Sequence, residues 1–243
     1  KLKTRKDFER VLAEDLDIME TTKARIDTAK NINLYMYRSL SYSYILILQS
    51  KYSVDAKIDE LRDIYIKSMH YFLQAFNKRN PIYADILNYV SLGVLLNIPD
   101  NNFRQLIDYV KQMDKQAKPS GWTPDLLLWF MLNSRMKEQE KQKYAETLAY
   151  PRLYNGLYKV IQAPNAATAK DALNKYLDRW YNLNSNAPWY NSHLKDNSYR
   201  GYWAWEVAAV AKIMHIDDSD LKNNQYYPYD MVHWADNETT AKE

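Results

Sequence analysis

The chain has no cysteine and only four glycines among its 243 residues. Without cysteine it can form no disulfide bond, no thiolate nucleophile and no thiolate metal site. Sheet-rich folds need glycine for hairpin turns and bulges, so the scarcity of glycine favours helices throughout. The sequence also has no glycine-rich loop of the kind that binds phosphate, which disfavours nucleotide-dependent chemistry.

Long apolar runs are missing as well. The strongest run, residues 44–48, is far shorter than the roughly 20 residues that cross a bilayer, so we predict no transmembrane helix and no membrane partner. The first residues are basic and are followed by an acidic stretch instead of an apolar core, so we expect no secretory signal. Together with the lack of cysteine, this favours a cytoplasmic protein.

The histidines offer no pattern for a metal or for catalysis. His70, His193, His215 and His233 are scattered, with no pair spaced to place two ligands on one helix face. His215 lies close to two aspartates, but no serine nucleophile or oxyanion hole can be assigned around it. We therefore predict no metal, no cofactor and no catalytic residue.

The composition is that of a folded, soluble protein, with 47% hydrophobic and 26% charged residues. Apolar residues recur at spacings of three and four, which predicts helices within residues 7–29, 34–48, 58–76, 82–97 and 103–113. The first two stretches could be one helix or two. Asp55 is a candidate cap for the third helix.

The clearest helix breaker lies at Lys118, Pro119, Ser120 and Gly121. We place a domain boundary there, with helical domains at residues 1–118 and 119–243 that could still pack as one unit. Further helices are predicted at 126–133, 137–150, 151–162 and 166–181, with Thr123 and Asn165 as caps. The predicted fold class is all-α, a multi-helix array of stacked antiparallel helices.

Two helical segments resemble each other. Residues 89–103 and 205–219 both combine small and aliphatic residues, an isoleucine, an aspartate-containing break and a further helical segment. This echo has two interpretations: two related helical layers, as in repeat folds, or chance similarity between two buried helices.

The charge is uneven along the chain. Residues 196–243 carry four basic and nine acidic residues, a net charge of about −5, whereas the rest carries about +8 within a total of +3. Such a split indicates either a basic partner for the carboxyl-terminal part or neutralisation within the fold.

The aromatic content is high, with 22 tyrosines and seven tryptophans. These side chains suit both helix seams and protein interfaces. Nucleic-acid stacking is disfavoured, because the aromatic-rich tail is also the acidic part and would repel phosphates. Glu206 lies between aromatics on a helix that we predict to be buried, so it needs a partner such as Arg, Lys or a Tyr hydroxyl.

The most unusual motifs lie in the last fifty residues. An aromatic group precedes an alanine-rich helix, an acidic segment follows it, and a Tyr-Pro-Tyr-Asp motif comes next, in which Pro228 can start a helix and Asp230 can lie in its first turn. The residues that we assign to structure are Tyr202, Trp203, Trp205, Glu206, Pro228, Tyr229 and Asp230.

These motifs resemble the carboxyl-terminal domain of the PoNi immunity proteins, and the amino-terminal half resembles that family's companion domain more loosely. The resemblance implies an all-helical protein that binds and neutralises a cognate PoNe-type DNase toxin, delivered between competing bacteria by a secretion system. It implies no reaction and no cofactor, and the acidic charge of the aromatic-rich tail disfavours direct nucleic-acid contact.

For the contact with such a toxin we select Asp217, Asp218 and Asp220 as exposed acids and Tyr226 and Tyr227 as aromatic anchors. Two alternatives remain open. One is a helical-repeat scaffold or peptide-binding protein without a toxin partner. The other is a helical enzyme with Glu206 and Asp230 as an acid and base pair.

Overall fold

The computed structural model of the protein describes residues 3–76, 82–115, 122–195 and 198–240, with no side-chain description for Phe76 or residues 235–240. These ranges contain ten α-helices, three short 3-10 helices and no strand, which confirms the predicted all-α fold. The helices are α1 (Arg5–Thr28), α2 (Leu34–Ser53), α3 (Ile58–Phe76), α4 (Tyr83–Leu95), α5 (Asp100–Lys115), α6 (Leu126–Asn133), α7 (Pro151–Ile161), α8 (Ala166–Leu183), α9 (Trp205–Met214) and α10 (Tyr229–Thr240).

The chain packs as two compact units. Unit 1 combines Lys1–Pro81 with Pro188–Gly201, and unit 2 combines Ile82–Ala187 with Tyr202–Glu243. The breaker cluster on which we placed a boundary, residues 118–121, lies outside the described residues. The division at 118/119 therefore stays a prediction about the sequence, distinct from this division by packing.

In unit 1, α2 packs against both α1 and α3. The first two predicted helices are separate, because α1 ends at Thr28 and Asn33 caps α2 by accepting a hydrogen bond from the Met36 N–H. Our prediction that Asp55 caps α3 is wrong. Asp55 lies three residues before the helix, in a left-handed conformation with φ 63°.

The returning segment of unit 1 is held by a buried ion pair. Arg200 donates from Nε to Asp15 Oδ2 at 2.6 Å and from Nη2 to Oδ1 at 2.5 Å. Ser50 of α2 also donates to Asp15, and the ring of Tyr199 packs 5.4 Å from Phe8. Asp15 is only 2% exposed, so this cluster fixes the segment against α1 and α2.

In unit 2, α4 packs against α6 and α9, and α7 packs against α8 and α9. Helices α4 and α9 are buried along most of their length, because small and aliphatic residues occupy nearly every side of both. Their packing brings the two segments of the sequence echo into direct contact, so the echo lies within one unit.

In the structure, the two echo segments correspond after a shift of two residues relative to the sequence comparison. Asn97 and His215 both adopt a left-handed conformation after their helices, with φ 44° and 52°. Each is followed by a buried isoleucine, and the N–H groups of Ile98 and Ile216 bond to carbonyls five residues back. Both helices therefore end in the same hydrogen-bonded turn.

Two expectations around α6 are wrong. Asp125, and not Thr123, is the cap, and it accepts hydrogen bonds from the N–H groups of Leu128 and Ala149 and from the hydroxyl of Tyr83. The predicted helix at 137–150 is a 3-10 turn at Glu138–Glu140 followed by irregular chain. Backbone groups of this segment bond to a side chain outside it, since the Asn133 side chain accepts from the N–H of Gln142 and donates to its C=O.

Candidate partner-binding site

The acidic loop, which we define as residues 216–221, follows α9 in unit 2. Ile216 and Leu221 are each 7% exposed and anchor its two ends in the core. Between them, Ser219–Leu221 forms a short 3-10 helix. Anchored ends and a helical turn leave the loop few conformations, so its side chains have defined directions.

Asp218 is buried, and our expectation that it is exposed was wrong. Its carboxylate is 3% exposed and accepts a hydrogen bond from the Tyr227 hydroxyl at 2.6 Å, while His233 Nε2 lies 2.7 Å from its other oxygen. Tyr227 is itself 2% exposed, so it is no surface anchor either. Burial of a carboxylate requires such partners, and they tie the loop to the start of α10.

Asp217 and Asp220 are exposed, as predicted, at 70% and 46% of their side chains. Lys170 of α8 places its Nζ 2.9 Å from Asp217 Oδ2 and 3.1 Å from Asp220 Oδ1. Asn174, one turn along α8, donates from Nδ2 to Asp220 Oδ2 at 3.0 Å. The site is therefore built from the acidic loop and one face of α8.

The hydrogen bonds of this cluster favour its charged forms. Bonds from Ser219 and then from Lys170 hold the pKa of Asp217 well below its usual range. Partial burial acts to raise the pKa of Asp220, but hydrogen bonds from Lys170 and Asn174 leave it lowered. The bonds to both aspartates raise the pKa of Lys170. All three groups are consequently ionised near neutral pH.

Tyr226 follows the acidic loop in the sequence and lies in an aromatic cluster. It is half-buried, and its ring stacks on Tyr181 of α8 at 5.5 Å with only 4° between the planes. Trp180 and Tyr202 lie 5.6 Å and 6.5 Å from the same ring. Part of Tyr226 is therefore exposed to a partner, while the stacking contact with Tyr181 holds its ring in place.

The aromatic group around the start of α9 is largely buried. Tyr202 and Trp205 are buried, and Trp203 is half-buried with its ring 6.0 Å from that of Trp205. Glu206 is 7% exposed and accepts a hydrogen bond from Trp180 Nε1 at 2.6 Å. Its partner is an indole, and not the Arg, Lys or Tyr that we expected.

Burial raises the pKa of Glu206 to about 7, against the opposing effect of its hydrogen bonds. Asp230, by contrast, lies exposed in the first turn of α10, directly after Pro228 and Tyr229, as the motif predicts. One carboxyl is in the core and the other is in solvent. This arrangement does not support the two as an acid and base pair.

Sequence analysis missed Lys170, Asn174 and Tyr181, which complete the site. They lie on α8, 35 or more residues before the acidic loop, and no local motif connects the two segments. The available signal was weak: residues 170, 174 and 181 fall on one helix face at spacings of four and seven. The same spacing occurs on any solvent-exposed helix face, so it does not identify these residues as part of a site.

The described residues contain no group of three or more His, Asp or Glu side chains arranged to hold a metal ion. Within the same part of the chain, no helix has the length and apolar content to cross a membrane. The fold and the site thus define an all-helical protein whose surface features are charged and aromatic side chains on a fixed scaffold.

Two family models match the chain. The model described as "PoNe immunity protein (PoNi), N-terminal" matches residues 5–108, and the model described as "PoNe immunity proteins (PoNi), C-terminal" matches residues 123–231. The chain therefore belongs to the PoNi family of immunity proteins, and this membership implies a toxin protein as the partner. The looser resemblance of the amino-terminal half is confirmed along with the stronger one.

A solved structure shares the fold. The crystal structure of protein PA2201 from Pseudomonas aeruginosa superposes with a TM-score of 0.70 at 17% sequence identity, covering 96% of this chain and 89% of that chain. At that identity the similarity concerns the fold alone. No curated protein matches the chain.

Proposed function

We propose that this immunity protein neutralises a PoNe-type nuclease toxin by binding it and covering the surface that meets DNA. Family membership supplies the class of partner. The observation that carries the mechanism is the acidic loop, on which Asp217 and Asp220 stay ionised and exposed. A nuclease must present a basic surface to DNA, and exposed carboxylates are complementary to such a surface.

The buried Asp218 supports this proposal by fixing the loop. Its bonds with Tyr227 and His233 hold the two neighbouring acids in place before the partner arrives. A prearranged surface loses less conformational entropy on binding, so more of the interaction energy contributes to affinity. Tyr226 adds an aromatic side chain of a type that is enriched among the residues that dominate interface energy.

The whole-chain charge of +3 limits the electrostatic argument to a local patch. A stable complex needs about 1,600 Å² of buried surface. Nanomolar affinity corresponds to about −12 kcal/mol. Two carboxylates cannot supply this alone, so we propose that they speed the encounter and set its orientation, while the surrounding surface supplies the area. Occlusion of this kind needs no cofactor and no reaction.

The test uses the toxin encoded by the neighbouring gene, purified and titrated with this protein. Stoichiometric loss of nuclease activity supports neutralisation, and the double charge reversal Asp217→Lys with Asp220→Lys should weaken binding by about a hundredfold. The matched control is Asp171→Lys, which changes an exposed acid on α8 that pairs with Lys175 on the same helix. Unchanged affinity in the double variant would remove the acidic loop from the interface.

Neutralisation and location are separate outcomes of this experiment. Loss of nuclease activity with the wild type, but equal affinity for all variants, would leave neutralisation standing and place the contact elsewhere. No binding by the wild type would overturn the proposal. The repeat-scaffold alternative has less support, because the two echo helices pack together within one unit and do not form successive layers along the chain.

A further inference from the structure

Lys170 lies between the two exposed carboxylates and is more buried than either. Its side chain is 29% exposed, against 70% for Asp217 and 46% for Asp220. A cation that approaches the acidic loop from solvent therefore meets carboxylates that already have an internal counter-ion. The net charge of these three side chains is −1 and not −2.

Asn174 adds an independent observation. Its Nδ2 donates to Asp220, but its Oδ1 is buried and accepts no hydrogen bond from the described residues. A buried acceptor without a donor costs roughly 1–3 kcal/mol, so native proteins rarely leave one. Asn174 Oδ1, on the amide group that bonds Asp220, therefore lacks a donor among the described residues, although Lys170 is already present.

The ammonium group of a lysine is a compact charge with three donors, whereas an arginine offers five donors in a planar fork. Two carboxylates and one amide oxygen together present several acceptors over a small area. A guanidinium suits that arrangement better, because it can bond a carboxylate with two donors and direct another to a neighbouring acceptor.

We propose that Lys170 is an internal competitor: in the free protein it occupies the position that an arginine side chain of the toxin takes in the complex, where Asp217, Asp220 and the Oδ1 of Asn174 accept its hydrogen bonds. This inference rests on the proposed function. It predicts that affinity for the toxin is limited by the displacement of Lys170.

Two substitutions at this position should act in opposite directions. Lys170→Met removes the competitor, so it should tighten toxin binding about threefold or more while lowering the thermal midpoint of the free protein. Lys170→Arg provides a stronger internal fork, so it should weaken toxin binding by a similar factor and preserve the midpoint. If Lys170 had a merely structural role, replacing it with Met would lower both the affinity for the toxin and the stability of the free protein.

The matched control is Lys175→Met, which makes the same change on the same helix at a lysine paired with Asp171. It tests whether net charge alone explains a gain in affinity, because both methionine variants lose one positive charge. Binding is measured by titration calorimetry with the purified toxin, and stability by thermal unfolding. Tighter binding of Lys170→Met but not of Lys175→Met supports the proposal.

Other outcomes would overturn either the competitor role of Lys170 or the proposed function itself. Equal or weaker binding of Lys170→Met, while the reversal of Asp217 and Asp220 still weakens binding, would reject the competitor role and keep the acidic loop as the contact. Tighter binding of Lys170→Arg would reject it as well. If the wild type does not bind the toxin, the proposed function itself is overturned.

Discussion

The indole Nε1 of Trp180 donates a hydrogen bond to Oε1 of Glu206 across 2.6 Å, inside unit 2. Trp180 lies near the end of α8 and Glu206 in the first turn of α9, so this bond joins two helices. Ala204, the N-cap residue of α9, makes no side-chain cap hydrogen bond, and Glu206 bonds to its own backbone N–H in the first turn. The carboxyl therefore stabilises a helix start, yet its burial opposes ionisation.

Glu206→Gln should change how stability depends on pH. Burial raises the pKa of Glu206 from 4.5 to about 7 in the folded state, so the unfolded chain loses this proton at lower pH than the folded protein does. Stability contributed by the protonated carboxyl is complete below pH 4.5 and is lost as the pH rises to 7. The loss amounts to about 3 kcal/mol.

The glutamine variant cannot ionise, so its free energy of unfolding should lack this decrease and should exceed that of the wild type at pH 8. Urea denaturation of both proteins at pH 5 and pH 8 measures the difference. An identical decrease in both would show that Glu206 does not titrate in this range.

Much of the fold was predictable because buried helices leave a periodic signal. The apolar stripe of residues 58–76 matches α3, and Asn165 caps α8 as expected, with its side chain accepting from the Thr168 N–H. The helix predicted at 137–150 failed for a tertiary reason. Tyr144 there bonds to Asp114, thirty residues away, and no local pattern reports such a contact.

The site was predictable only in part. Asp217, Asp218 and Asp220 are the same type of residue, so the sequence alone does not distinguish them. In the structure, the 3-10 turn directs Asp218 inwards to Tyr227 and the other two towards solvent. Their direction depends on the packing of α10 and α8 around the loop. The motif does not predict the role of Lys170 for the same reason, because only the fold brings this residue to the two exposed acids.

Adjacent aspartates should respond very differently to the same substitution. Asp218→Ala removes the acceptor that Asp218 offers to the buried hydroxyl of Tyr227, so we expect a loss of about 1–3 kcal/mol in the free energy of unfolding. Asp217→Ala removes an exposed carboxylate and should leave the denaturation midpoint close to that of the wild type. Equal midpoints for the two variants would contradict the buried position of Asp218.

The Asp15 and Arg200 pair in unit 1 allows a test of a buried ion pair. Arg200→Met leaves the carboxylate of Asp15, which is 2% exposed, without its cation, and should cost about 3–5 kcal/mol. Adding Asp15→Leu should restore much of that loss, because an apolar pair needs no compensation for desolvation. Chemical denaturation of the single and double variants measures the recovery.

The control for this pair is Arg5→Met, since Arg5 pairs with Glu9 and Asp55 at the surface with 65% of its side chain exposed. Surface pairs of this kind contribute about 1 kcal/mol or less, so the control should stay near the wild type. A double variant no more stable than Arg200→Met would show that the charge on Asp15 is not the source of the loss.

Gly156 in α7 should resist replacement by alanine, although alanine is the better helix former by about 1 kcal/mol. A Cβ at this position would lie 2.5 Å from Cδ2 of Tyr176, whose buried ring is 4% exposed and cannot move away freely. Overpacking of this kind costs about 1–3 kcal/mol, so we expect Gly156→Ala to lower the thermal midpoint. The neighbouring Asn155→Ala changes an exposed position on the same helix and should leave the midpoint equal or higher. If both variants gained stability, the close contact of α7 with α8 at Gly156 would be wrong.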